Sequence, residues 1–394
     1  MSKVLVKLLV CCACVSTLWA QDFKLFNYDV QVHGFASQGF VTTDGNNWLT
    51  MNTGNAGSGQ FTDFGGNASV QITDKFRIGA QIYDRELGQL GRWHPQLDWA
   101  VATYQFKPWF GIRAGKVKTV MGLYNDTQDL DFLHTFALLP QSVYPTDLRD
   151  VTIAHEGGDL FGDVSLGKKG GTLSYTAYAG HREDSRYGGY AYLINSQGNS
   201  FNSMGGLQYG GDLRWTAPLK GLLVGVSRLD EDISARFNAG SPYAETLSSK
   251  VDWTNQYYAQ YTWKKLVLDT EFRHYYLNAT AEGTPFGFET DVRGWYVAGS
   301  YQVIKHLQLG SYYSHYGINV PANYVIPVGT GHNYDKVVTA RFDVNRFFNI
   351  KVEGHFMNGY GLPDDYPNGF YSVNNPQGLK PNTTALVVKT SFKF

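Results

Sequence analysis

From Tyr28 to the last residue the chain is built of short segments in which apolar and polar side chains alternate. In "FRIGAQIYDRE", Phe76, Ile78, Ala80 and Ile82 share one face, and Arg77, Gln81, Tyr83 and Arg85 share the other. In "LVLDTEFRHYY", Leu266, Leu268, Thr270 and Phe272 oppose Asp269, Glu271, Arg273 and Tyr275. "VVTARFDV" (337–344) and "FNIKVEGHF" (348–356) repeat the pattern. A period of two is that of a β-strand with one apolar and one wet face. The body of the chain holds no helix-period segment of useful length, so the fold is all-β.

Such strands have two homes. A soluble sandwich buries the apolar face against a second sheet. A transmembrane antiparallel barrel turns it to lipid and encloses water with the other. The connections decide between them. Strands fall near 28–43, 60–73, 75–88, 95–106, 109–118, 150–157, 172–182, 204–217, 221–230, 252–264, 265–277, 292–303, 306–317, 333–344, 347–358 and 383–394. Tight turns at 73–75, 107–109, 217–221, 263–265, 304–306 and 345–347 alternate with long connections. Those long connections lie near 44–59, 119–149, 183–203, 231–251, 278–291, 318–332 and 359–382. Short turns at one end, long loops at the other and an even strand number are the signature of an outer-membrane barrel. The count is sixteen, or eighteen if 157–171 hides a hairpin. Aromatics beside the turns, such as Trp109, Trp263 and Tyr301, fit interfacial girdles. Charged residues are only 17%, below the roughly 25% of soluble domains.

The two termini agree. "MSKVLVKLLVCCACVSTLWAQDF" has Lys3 and Lys7, then an apolar run from Leu8 to Val15, then Ala20. Residues 1–20 read as a secretory signal peptide and 21–394 as the barrel domain. Cys11, Cys12 and Cys14 all lie in the signal segment, so the mature chain has no thiol. A lipoprotein signal acylated at Cys14 is the alternative, and its upstream residues fit poorly. The end, "TTALVVKTSFKF", is an amphipathic strand with Phe392 and Phe394 on its apolar register. It closes the sheet against the first strand. It also resembles the C-terminal signal that hands barrels to the insertion machinery, which makes that machinery a partner through Phe394. A net charge of −1 points away from nucleic acid.

The stretch from Phe110 to Gly158 carries a family resemblance. Gly115, Lys116, Val117 and Lys118 match the Gly-basic-x-Lys strand end of the phosphate-selective porin O/P-like superfamily. Val120, Met121 and Gly122 stand where Pro-Phe-Gly is common there, a departure from the pattern. "YGGDLRWTAPLKGLLVGVSRL" and "LSYTAYAG" resemble strand segments of the same group. The resemblance implies a sixteen-stranded porin, commonly a homotrimer, whose third loop folds into the lumen. The apolar run Phe132 to Pro140 supports that loop independently, because it is poorly suited to open water.

At the expected constriction stand Arg113, Lys116 and Lys118 from the wall. Asp126, Asp129, Asp131, Asp147, Arg149 and Asp150 come from the loop. Opposed charges across a narrow lumen bias ion passage. Arg77, Arg85, Arg214, Glu271, Arg273, Arg341, Lys389 and Lys393 line the pore. Acidic partners sit beside several of these bases, so phosphate specificity does not carry over. "NDTQDLD" lacks the spacing and closing Glu of a calcium loop. Neither a metal nor another cofactor is expected. No G-x-S-x-G, H-E-x-x-H or P-loop pattern marks an enzyme. The expectation is a non-enzymatic channel in the outer membrane of a Gram-negative-type bacterium. It is surrounded by lipid and passes small hydrophilic solutes or ions by passive diffusion. The alternatives are a structural or adhesive barrel acting through its outer loops, and a barrel-borne enzyme.

Overall fold

The computed structural model of the chain describes residues 21–25, 28–54, 56–283, 287–319, 329–361 and 369–394. The segment 1–20, read as a signal peptide, lies outside them. A short strand β1 (Gln21–Leu25) precedes sixteen barrel strands. These are β2 (Tyr28–Thr43), β3 (Ser58–Thr73), β4 (Phe76–Leu87), β5 (Gln96–Lys107), β6 (Phe110–Lys118), β7 (Ala154–Ser165), β8 (Thr172–Glu183) and β9 (Phe201–Thr216). They continue as β10 (Leu222–Phe237), β11 (Glu245–Trp263), β12 (Leu266–Ala281), β13 (Gly287–Ile304), β14 (Leu307–Asn319), β15 (His332–Asn345), β16 (Phe348–Gly359) and β17 (Asn382–Lys393).

Each strand from β2 to β17 pairs antiparallel with the next, and β17 pairs with β2, so the sheet closes on itself. Closure sets Val387 opposite Val41 and Phe392 opposite Ala36. Phe394 and Gly34 then exchange backbone hydrogen bonds of 2.9 and 3.3 Å. Below that point β1 takes over the same edge of β2, from Gln21↔Val32 to Leu25↔Tyr28. The edge that an unclosed sheet would leave is thus filled by β17 and β1 together.

The faces follow the alternation. On β4, Ile82 is 58% exposed on the outside while its neighbour Gln81 is 2% exposed in the lumen. On β12, Phe272 faces out and Glu271 is buried inside. Trp109, Trp263 and Tyr301 stand exposed beside the tight turns, as a girdle requires.

Two boundaries differ from the sequence reading. The strand expected at 150–157 runs from Ala154 to Ser165, and Arg149–Thr152 is a short helix. That leaves 166–171 as a turn and removes the room for an extra hairpin. The connections expected at 231–251 and 278–291 are mostly strand, because β10 to β13 extend well past the apolar band. There the pattern inverts. Ile233, Ala235, Ala279 and Ala281 are buried. Polar residues face outwards at that height, which reads as loop in a one-dimensional pass.

Candidate functional site

The connections on the long-loop side are numbered L1 to L8 here. L1 is 44–57, L3 is 119–153, L4 is 184–200 and L8 is 360–381. L3 is the longest, and it crosses the lumen. It leaves β6 past Gly115, whose φ is 128°, and turns at Gly122, whose φ is 63°. A Cβ on Gly122 would collide with the side chains of Gln256 and Glu271. Only glycine therefore lets the backbone lie this close to the wall.

The first leg of L3 docks on β10 and β12. Gly122 N–H donates to Ser227 Oγ (2.9 Å), Leu123 N–H to Glu271 Oε2 (3.1 Å), and Tyr124 Oη to Asp269 Oδ2 (2.7 Å). The loop then doubles back, and Asp129 meets Lys118 Nζ at 2.5 Å and Gln81 Nε2 at 2.6 Å. Two residues on, Asp131 receives Lys351 and Lys389, each at 3.0 Å, together with Ser391. The apolar run comes next. Its backbone N–H groups at Ala137 and Leu138 donate to the two oxygens of Glu353 at 2.9 and 3.1 Å. The return leg ties Tyr144 to Glu271 (2.7 Å), Arg149 to Asp98 (2.8 Å) and Asp150 to Arg85 (3.0 Å). Polar groups buried in a lumen must find partners, and nearly all of these are supplied by the opposite element.

Most of the residues singled out from sequence meet at L3. Arg214 donates to the Gly122 carbonyl (2.9 Å), Arg273 to that of Val143 (3.0 Å) and Arg341 to that of His134 (2.9 Å). Asp126 offers its carbonyl to Lys118 (3.0 Å). Lys393 lies over the Phe132 ring, 4.3 Å from its centroid. Asp126, Asp129 and Asp131 do not converge; Asp129 and Asp131 are drawn to different lysines. Three other positions stand apart from the loop. Arg113 pairs with Asp159 (2.7 Å). Arg77 bonds Ser69 (2.6 Å) near the turn end of β4. Lys116 borders a cavity with Glu156 and His181 on the L4 side.

Sequence reasoning missed Lys351, Glu353 and His355, which share the wet register of β16 and are all wholly buried. It also missed Asp98, placed inward at a register shift opposite Gln81. Three alternating ionisable residues on one strand were the available signal.

The electrostatics are interleaved. Arg149 touches Asp98 and packs 4.1 Å over the Tyr83 ring, while Lys118 reaches both Asp129 and Asp98. Burial alone would raise the pKa of Asp131, but the two ammonium groups prevail and hold its carboxyl below the usual range. Burial pushes His134 down to about 4, so it is neutral at pH 7 and donates Nε2–H to the Thr127 carbonyl. Asp147, buried and bonded by Tyr371 Oη at 2.8 Å, is pushed up to about 6.

One sector of the lumen is dry. Trp48 and Leu49 from L1, Leu138 from L3 and Phe370 from L8 pack on the inward-facing Val41 and Val387. Between and beside these contacts remain two larger spaces. One of 230 Å³ lies toward L4, and one of 260 Å³ lies on the turn side of L3.

The closed sixteen-strand antiparallel barrel with an inward third loop is a porin-type fold. No known protein family and no curated protein matches the sequence. Solved structures do match in fold. OmpT of Vibrio cholerae superposes with a TM-score of 0.57 at 10% identity, covering 95% of this chain and 100% of that one. The anion-selective porin from Comamonas acidovorans gives 0.57 at 10%, covering 93% and 100%. The outer membrane channel DcaP of Acinetobacter baumannii gives 0.57 at 14%, covering 94% and 99%.

Proposed function

We propose that the protein is a non-enzymatic outer-membrane porin. It is made with a signal peptide at 1–20 and delivered to the insertion machinery through the strand ending at Phe394. It assembles as a homotrimer in lipid and passes small hydrophilic solutes and ions. The observation that carries this reading is L3 itself. It spans the lumen, is fastened by paired charges, and leaves wet cavities on both of its faces. The constriction comprises Lys118, Asp126, Asp129, Asp131, Asp147, Arg149 and Asp150, with Arg113 and Lys116 on the approaches. The narrower kinship with phosphate-selective porins rests on Gly115 to Lys118 and on the segments 173–180 and 209–229, and the interleaved acids argue against strong anion preference.

Planar-bilayer recording across a salt gradient tests the reading. Stepwise current with a small reversal potential is expected. Folded, inserted protein that stays silent would instead favour a barrel acting through its outer loops. Release of fatty acid from phospholipid by the purified protein would favour an enzyme.

A further inference from the structure

The 260 Å³ space on the turn side of L3 has two unlike walls. The loop presents Leu133, Phe136, Leu139 and Pro140. Leu133 is 58% exposed, an apolar side chain left bare inside a lumen. The barrel presents Gln260 from β11, Asp269 from β12, Ser300 from β13 and Gln308 from β14. Neither lysine nor arginine lines the space.

The polar wall is only partly satisfied. Asp269 Oδ2 accepts the Tyr124 hydroxyl at 2.7 Å, while Asp269 Oδ1 is buried with no hydrogen bond of normal geometry and only the cross-strand Gln260 side chain beside the carboxylate. Gln308 Nε2 donates to Ser300 Oγ at 3.1 Å, and Gln260 Nε2 approaches the Tyr124 hydroxyl at 3.4 Å. A buried acceptor without a donor costs on the order of 1–3 kcal/mol. It is the kind of group that a ligand donor relieves.

We infer that this space is a binding subsite for an uncharged polyhydroxylated solute of the pyranose type. The inference rests on the channel reading and names the solute class of one part of it. A pyranose ring has a C–H face and a hydroxyl edge. The C–H face covers Leu133, Phe136 and Pro140, removing apolar surface from water. The hydroxyls meet Gln260, Ser300 and Gln308 as donors or acceptors, and donate to Asp269 Oδ1 once the neighbouring Gln260 side chain turns toward the sugar. An anion is excluded, because the lining offers a carboxylate and no cation. A cation would use Asp269 and leave the three neutral polar groups idle, whereas a sugar uses all four.

The test is saturation-transfer NMR on the folded, detergent-solubilised protein, titrated with glucose or with benzylamine. Glucose should show saturation transfer, and its affinity should fall about tenfold in Q260A/Q308A, as expected for two lost hydrogen bonds. Asp269→Asn keeps an acceptor and should change glucose binding little while weakening benzylamine. If Q260A/Q308A does not fold, Leu133→Asp, on the loop, replaces it and should lower glucose affinity as well. No transfer to glucose, unchanged glucose affinity in folded Q260A/Q308A or Leu133→Asp, or binding of benzylamine alone would each overturn the inference. Bilayer recordings separate it from the channel reading. Conducting protein that ignores glucose loses the subsite only, and silent protein that binds glucose loses the channel only.

Discussion

Lys351 on β16 and Asp131 in L3 meet at 3.0 Å, with the lysine wholly buried. The same ammonium also donates to the carbonyls of Asp131 (2.6 Å) and Phe136 (3.0 Å). One wall residue therefore grips the loop at three points, and Lys389 grips it at a fourth. Asp131→Ala would leave the buried Lys351 ammonium with backbone carbonyls alone and Lys389 with only Asp63, at 3.4 Å, a change worth about 3–5 kcal/mol where a buried pair loses one partner. A lower unfolding temperature and faster proteolysis within L3 are expected. The double variant D131A/K351M should recover much of the loss, because Lys389 then keeps Asp63 as its partner and no ammonium is left alone.

Asp147 and Tyr371 join L3 to L8, and that contact depends on pH. The Asp147 folded value of about 6 lies above its unfolded value near 4. A raised carboxyl favours the folded, docked state when protonated. The contribution is full below about pH 4 and is lost as pH rises through 6. His134 has the opposite sign, since its folded value of about 4 makes docking weaken as pH falls below about 6.5. Comparison with Asp147→Asn isolates the first effect. Protection factors of residues 144–151 should rise with pH between 4 and 6 in the variant, where the His134 effect alone remains, and rise less or fall in the parent, where Asp147 opposes it.

Trp48 seals the dry sector, with its ring 4.9 Å from that of His355 and 6.2 Å from that of Phe370. Trp48→Ala should cost about 3–5 kcal/mol, the range for removing a large buried aromatic. It should also admit water beside Val387, read as a larger conductance step.

Charge at the constriction is balanced by contact, so removing one sign should expose the other. Arg149→Ala leaves Asp98 and Asp129 short of a partner and should move the reversal potential toward cations. Asp129→Asn should move it toward anions. Shifts of the same sign in both variants would remove these residues from the ion path.

The barrel was legible because a period of two survives any tertiary context that keeps lipid on one side. Strand β2 and the tight turns fell where alternation put them, and the run Phe132–Pro140 marked the loop that hides in the lumen. What was hidden is long-range. Glu353 reads as an ordinary wet-face residue until two amides from 137 and 138, over 200 residues earlier, are found bound to it. Val387 reads as an exception on a polar face, and only the packing of L1, L3 and L8 explains it. Ile233 and Ala235 defeat the strand pattern because above the lipid the apolar side turns inward. β1 is too short to announce itself, and its pairing depends on where β17 happens to stop.

The most direct measurement is the single-channel step of the parent protein against D131A/K351M/E353A, which removes the Lys351 bonds to Asp131 and Phe136 and the Glu353 bonds to Ala137 and Leu138. The account predicts small discrete steps in the parent and larger ones in the variant, with the same folded barrel by circular dichroism. Identical steps in the two proteins would mean that L3 does not set the width of the passage.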